Sequence, residues 1–293
     1  MPRGRGKATP NCSSWSNTDA LMTNIRWLGR YPIAILTNLG ARSRECSDHL
    51  TECPVPLSQI AVIVPARDEE QSIGLVLRDI PPKYRSLVVV VDNGSRDHTA
   101  EVAKRYGVVV LQQPLPGYGN VMLRGLAYLA TQPVDIVVFL DGDYSDYPEE
   151  MPRLVEPIQR GESDMVLSTR LNPMFDKAAL PPHVIYGNRV CVFLTNLLFG
   201  TRYTDLGPFR AIRYDALRRL QMEDRNYGWT VEMQIKAKLH GLRTMEIPVR
   251  YRKRVGQSKI SGTIRGSVLA GSKILYTIFR LFFAGRRIHA QTR

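Results

Sequence analysis

Four short, β-branched apolar runs alternate with segments of helical pattern between residues 60 and 141, and each run ends in a polar turn. The runs are IAVIVP (residues 60–65), LVVVVD (Leu87–Asp92), VVVLQQ (108–113) and DIVVFLD (135–141). With almost no polar interruption, they predict strands buried on both faces, and the spacing leaves room for a crossover helix after each. Residues 69–80 carry Ile73, Leu75, Val76 and Ile80 and stop at Pro81-Pro82, as a helix should. NGSRD supplies a turn and an N-cap for a helix of about ten residues, and a third helix is expected over 121–130 after the glycine-rich PGYGN turn. The expected class is therefore α/β, a mainly parallel sheet with helices on both faces. Beyond it the pattern is less regular: a strand over Met165–Thr169, helices near 188–198 and 231–240, a strand over 243–249, and long loops around Pro181-Pro182.

Composition narrows the function classes. The chain has 293 residues, 44% of them hydrophobic and 23% charged, which excludes a wholly disordered or disulfide-scaffold protein. Four cysteines show no CxxC spacing, and five histidines share no metal spacing; Cys191 reads as a core residue. Of the net charge of +13, +11 falls between Arg243 and Arg293, where twelve Lys and Arg face one Glu. Charge so concentrated points to a local polyanionic partner, an anionic membrane surface or a phosphorylated ligand. No uninterrupted apolar run of about 18 residues is present, and no secretory signal is expected behind MPRGRGKATP.

In open α/β sheets ligands sit at the carboxyl ends of strands, so PARDEE, DNGSRD, LPGYGN and DGDYSD belong together. The last places Asp141, Asp143 and Asp146 within six residues. Two carboxylates one residue apart can ligate a hard divalent cation and leave positions for water and phosphate oxygens; the plain alternative is a solvated turn before Pro148. Neither a GxxxxGK[ST] loop nor a GxGxxG after the first strand is present, which leaves a metal-bridged nucleoside diphosphate. Tyr118, between two glycines, reads as a loop aromatic.

IVPARDEEQSIG, VVDNGSRDHT, FLDGDYSDYPEE, TDLGPFRAI and RVGQSKISG together resemble family 2 glycosyltransferases of GT-A fold, above all the polyprenyl-phosphate mannose and glucose synthases. The resemblance spans roughly residues 60–265. It implies a Rossmann-like nucleotide-binding half plus an acceptor half, an inverting hexosyl transfer from a UDP-glucose or GDP-mannose type donor to a polyprenyl phosphate, and Mg²⁺ or Mn²⁺ as cofactor. Pro65, Arg67 and Glu69 would line the nucleoside pocket, with Val91 and Asn93 beside base and ribose. Asp141, Gly142 and Asp143 would hold the diphosphate through the metal, Asp143 as direct ligand, and Arg170, Arg254 and Lys259 would contact donor phosphates or sugar. The family often has Asp where Asn93 stands. Dolichyl-phosphate mannose synthases tend to have Gln at Ser145, which leaves Asp146 or water to complete the metal shell. TDLGPFRA is a variant of the usual DPxSGFRA.

A phosphate acceptor, with its second pKa near 6, is a nucleophile at neutral pH and needs positioning more than a base. Arg189, Arg202 and Arg210 suit phosphate geometry, with Ser258 as a hydroxyl donor. A soluble or sugar hydroxyl acceptor on the same fold would instead require a carboxylate base, with Asp205 and Glu232 the candidates. Glu232 reads otherwise as an exposed helix carboxylate, and Asp205 as an organiser of its loop.

The chain is expected to divide into an N-terminal extension (1–57), a glycosyltransferase domain (58–262) and a basic amphipathic helix (263–293). On a helical projection Arg265, Lys273, Arg280 and Arg287 fall within about 80°, opposite Ile274, Ile278 and Leu281. That is the pattern of a helix lying on an anionic leaflet, which predicts a peripheral enzyme at the cytoplasmic face of the membrane. A rival of another class, a basic nucleic-acid-binding protein, leaves the four turns unexplained.

Overall fold

The computed structural model describes residues 59–170, 179–256 and 264–291. The N-terminal extension, Ser258, Lys259 and the side chains of Arg265 and Arg287 lie outside the described residues. In order the elements are β1 (Ile60–Ala66), α1 (Ile73–Asp79), β2 (Leu87–Asp92), α2 (Thr99–Arg105), β3 (Val109–Gln112), α3 (Tyr118–Leu129), β4 (Ile136–Phe139), α4 (Met151–Gln159), β5 (Met165–Thr169), α5 (Pro182–Phe199), β6 (Arg210–Arg213), α6 (Tyr214–Leu220), α7 (Trp229–Leu239), β7 (Thr244–Pro248) and α8 (Ile264–Gln291).

The strands form one seven-stranded sheet in the order β3-β2-β1-β4-β6-β5-β7. Six run the same way, and β6 alone is antiparallel to both neighbours. Alternate residues along each strand face opposite layers. Val62, Val64, Val88, Val90 and Val138 pack against α1 and α4, whereas Ala61, Ile63, Val89, Val91 and Phe139 pack against α3, α6 and α7. Such two-sided burial explains why the runs carry almost no polar residue. A third core lies beyond the second layer, where α5, α7 and α8 meet through Cys191, Val192, Val231, Ile235, Ile278 and Leu281. Pro182 at its first turn suits the start of α5, and Gly200 ends it with a left-handed φ of 63°.

Two expectations are refined. PGYGN is partly helix, since α3 begins at Tyr118. Strand β6 adds to the strands expected from the sequence: RAIR is four residues long with a cation at each end, too short and too polar to show as a buried run.

The far end of the sheet is tied by Asp164, whose carboxylate accepts from the backbone N–H and guanidinium of Arg243, at 2.9 Å from both N and Nη2. These hydrogen bonds and the Arg243 and Arg213 charges outweigh partial burial and hold Asp164 down at about 2. A carboxylate depressed in the folded state stabilises the fold above its ordinary pKa and loses that contribution as pH falls toward 2. About 1 kcal/mol is expected from it after solvent screening at the exposed Arg243. Asp164→Asn should therefore lower the melting temperature at pH 7 and narrow the gap to wild type between pH 4 and 2, followed by circular dichroism.

Candidate active site

Strand order reverses between β1 and β4, and the crevice at their carboxyl ends is where a ligand sits in an open α/β sheet. A cavity of about 190 Å³ opens there, lined by Pro65, Ala66, Arg67 and Glu69 after β1, Asn93 after β2, Gly117, Tyr118 and Val121 at the start of α3, Asp141–Asp143 after β4, and Tyr227 and Arg254. Gly142 crosses beneath β1 so closely that a Cβ would stand 2.8 Å from the Pro65 carbonyl oxygen.

Arg254 spans the crevice, with Nη2 2.7 Å from Glu69 Oε1 and Nη1 3.1 Å from Asp143 Oδ2. Ser145 donates from its backbone N–H (2.9 Å) and its hydroxyl (2.6 Å) to Asp143 Oδ1, and so orients that carboxylate. The Tyr118 hydroxyl donates to Asp141 Oδ1 at 3.3 Å, which makes this residue more than a loop aromatic. Burial, then the neighbouring Asp143, raise Asp141 to about 7. Burial, with Asp141 and Asp143 nearby, pushes Asp146 well up too, and neither of its carboxylate oxygens has a hydrogen-bond partner among the described residues.

Of the residues expected at the donor, Pro65, Arg67, Glu69, Asn93, Asp141, Gly142, Asp143 and Arg254 come together around one cavity. Val91 is buried in β2, paired with Pro65, and does not line it. The Asn93 side chain also shapes the neighbouring loop, because Nδ2 donates to the carbonyls of Gln113 (2.7 Å) and Leu115 (2.8 Å) and pins the chain before α3. Arg170 stands apart from the donor cavity, in a bidentate pair with Asp205, with Nε and Nη2 each 2.8 Å from a carboxylate oxygen. Burial opposes both charges, yet the pairing prevails: Arg170 is raised and Asp205 lowered.

Three expected roles are corrected by the geometry. Asp205 is 1% exposed and accepts from Arg170 and from the backbone N–H groups of Arg170 and Leu206, so it organises its loop and is not a free base. Glu232 is not an exposed helix carboxylate either. Fully buried, it accepts from the backbone N–H groups of Glu223 and Asp224 and pairs with Lys236 at 2.9 Å, and it does not line the donor cavity. Arg210 is buried in β6, donating to the carbonyls of Gly207 and Thr230, and burial lowers it to about 10; it does not line the donor cavity. Arg189 and Arg202 are exposed, on α5 and on the loop after it.

One functional residue has no signal in the sequence. Arg252 lies 3.4 Å from the Tyr144 ring centroid and 4.0 Å from that of Tyr147, and donates to the carbonyls of Tyr144 (2.7 Å) and Asp146 (3.1 Å). It therefore clamps the acidic turn, where Tyr144 holds a left-handed φ of 62° and its hydroxyl donates to Asp79. Arg252→Ala should loosen the turn, a change readable as faster amide exchange over residues 143–147.

Residues 61–221 match Glycosyl transferase family 2, more than half the chain. The chain belongs to that family. It is 36% identical over 216 residues to an uncharacterized glycosyltransferase of Mycobacterium tuberculosis, covering 72% of this chain and 94% of the relative. It is 29% identical over 225 residues to the undecaprenyl-phosphate mannosyltransferase of Micrococcus luteus, covering 72% and 91%. Glucosyl-3-phosphoglycerate synthase from Mycobacterium tuberculosis, solved with Mn²⁺, uridine diphosphate and phosphoglyceric acid, shares the fold at a TM-score of 0.62 and 23% identity, covering 77% and 78%. This family 2 glycosyltransferase is thus an enzyme of GT-A-like fold.

A divalent cation fits the acidic turn. No group of three or more His, Cys, Asp or Glu side chains placed to hold a metal ion is found among the described residues, so an ion at this turn would rely on one or two carboxylates and on ligands from outside the protein. The buried Asp146 carboxylate, without a hydrogen-bond partner among the described residues, is a group that a cation would satisfy.

Helix α8 departs most from expectation. Its described cations do not form a free face: Lys273 Nζ is 3.2 Å from Asp224, and Arg280 is 3.4 Å from Glu223 and 3.6 Å from Glu232. Ile278 and Leu281 are buried on the domain, while Val268, Leu269, Tyr276, Phe279 and Phe283 are exposed on the other side. The helix thus has two apolar faces with its described cations on the flank. Residues Gly266–Ala284 also have the length and mean hydropathy, 1.3, of a membrane-crossing helix, although no uninterrupted run marks them. Upstream, Arg243, Arg250 and Arg254 pair with Asp164, Glu150 and Glu69, so much of the basic tail closes the fold, which is not what a nucleic-acid-binding tail requires.

Proposed function

We propose that this enzyme transfers a hexose, with inversion, from a UDP-glucose or GDP-mannose type donor to a polyprenyl phosphate at a membrane surface. The observation that carries the reading is a second cavity of about 360 Å³ between α5 and α8. Val184, Val190, Leu206, Ile274 and Leu275 make it apolar, and Arg170 lines it from the site side. An isoprenoid chain suits such a groove, and the exposed Tyr186, Phe193 and Leu197 of α5 together with the outer face of α8 offer an apolar surface for lipid. The name of the Micrococcus luteus relative points the same way. The proposed location is peripheral, at the cytoplasmic face.

In this mechanism Asp143 and Asp141 would hold a Mg²⁺ or Mn²⁺ ion, which would supply positive charge for the departing diphosphate. Arg254 adds a fixed cation beside the phosphates, and Pro65, Arg67, Glu69 and Asn93 bound the nucleoside. An acceptor phosphate oxygen forms the new bond to the anomeric carbon as the bond to the nucleoside diphosphate breaks. The phosphate arrives already ionised, so no proton need be removed, consistent with the engagement of Asp205 and Glu232 elsewhere.

The test combines two measurements. Thermal stabilisation by UDP and GDP, with and without Mn²⁺, should show a metal-dependent shift with one of them. Labelled sugar should then pass into undecaprenyl phosphate in liposomes. Transfer only to soluble hydroxyl acceptors would overturn the acceptor assignment, and no shift with any nucleoside diphosphate would overturn the donor assignment.

A further inference from the structure

The segment between α6 and α7 bridges the donor cavity and helix α8. On one side it meets the cavity. The Arg225 carbonyl accepts from the Asn120 N–H at 3.0 Å, and Tyr227 lines the cavity opposite Tyr118. The contact is backbone against backbone: a Cβ on Gly119 would stand 1.9 Å from the Asp224 carbonyl oxygen, and one on Gly117 2.3 Å from that of Arg225. Those two glycines flank Tyr118, whose hydroxyl reaches Asp141.

On its other side the segment is held by α8. Asp224 is buried; Oδ1 accepts from the N–H groups of Asn226 (2.8 Å) and Gly228 (3.2 Å), and Oδ2 from Thr277 Oγ1 and Lys273 Nζ, each at 3.2 Å. Glu232 caps the preceding N–H groups and is itself met by Lys236 and Arg280. Three carboxylates, Glu223, Asp224 and Glu232, thus face three cations, two of them from α8. A buried carboxylate stripped of its cation is costly, so the conformation of residues 223–228 depends on α8 being seated.

We propose that Lys273 and Thr277 are positioning residues for the donor pocket: by holding Asp224 they fix the backbone against which Gly117–Asn120 and Tyr227 shape the nucleotide cleft. Helix α8 then does more than offer a surface to lipid. Its seating sets the affinity of the donor site, so whatever engages its outer face can be read at the nucleotide. The inference rests on the donor assignment above.

The test uses the full chain with Lys273→Met, Thr277→Val, the conservative Lys273→Arg, and Lys104→Met at an exposed lysine of α2 as a charge control. Nucleoside diphosphate affinity in the presence of Mn²⁺ should fall five- to tenfold in Lys273→Met and less in Thr277→Val. It should stay within twofold of wild type in Lys273→Arg and Lys104→Met. In the ligand-free proteins, amide exchange over residues 117–121 should accelerate in the first two variants only. Wild-type exchange over that stretch in both Lys273→Met and Thr277→Val would overturn the inference. Absence of nucleotide binding by the wild type would instead strike the donor assignment, because the exchange measurement still decides the coupling. Thr277→Val keeps every charge in place and guards against a Lys273→Met variant that fails to fold.

Discussion

Asp143→Ala should lower sugar transfer roughly 10³-fold while the protein keeps its fold, because in the proposed mechanism it removes a carboxylate that would hold the cation offsetting the departing diphosphate. The side chain has little structural duty: it accepts from the N–H and hydroxyl of Ser145 and meets one nitrogen of Arg254. Arg254 retains Glu69, and the acidic turn stays pinned by the Val255 N–H to the Asp143 carbonyl and by the Arg252 clamp. The melting temperature should therefore change little, while stabilisation by nucleoside diphosphate loses its dependence on Mn²⁺. Wild-type transfer by this variant would remove the metal-diphosphate mechanism.

The largest expected effect on stability lies at Asp205. Its partner Arg170 is mostly buried, against Asp205 on one side and with its guanidinium carbon 5.2 Å from the Tyr251 ring centroid on the other. Asp205→Ala leaves that guanidinium without its carboxylate, a loss of about 3–5 kcal/mol. That corresponds to a fall of roughly 10 °C or more in melting temperature for a domain of this size. Replacing both partners, Arg170→Met with Asp205→Leu, should recover much of the loss, since an apolar pair involves no desolvation of charge. A base would behave differently: Asp205→Asn would then abolish transfer at unchanged stability with an altered pH–rate profile. Melting curves of the two single variants and the double variant separate these cases.

The donor half of the site was legible because its residues lie in turns directly after strands that announce themselves as apolar runs. Once those strands are aligned in a parallel sheet, PARDEE, DNGSRD and DGDYSD must share an edge. Other features were not, for physical reasons that differ from residue to residue. A buried arginine such as Arg210 carries no local mark of its burial, so its type alone suggested a phosphate ligand. Glu232 and Lys236 stand four apart in α7, a spacing that signals a pair, but the N–H groups that complete the cap come from a different segment. The grip of Arg252 on Tyr144 joins residues more than a hundred positions apart and is visible only in three dimensions. A helical projection places the cations of α8 on one side, yet it cannot say which side meets the domain.

The reversal of β6 has a consequence for how this enzyme can diversify. In a sheet whose other strands all point one way, only the turn leaving each strand reaches the catalytic rim. By running backward, β6 brings to that rim the residues that precede it, Thr204 to Phe209, with Asp205 among them. That stretch reaches the rim without interrupting any of the strands that carry the donor turns. Burial of Asp205, Leu206 and Phe209 confines change in this stretch to Thr204 and Pro208, and substitution there alters the rim while the strands that carry the donor turns stay still.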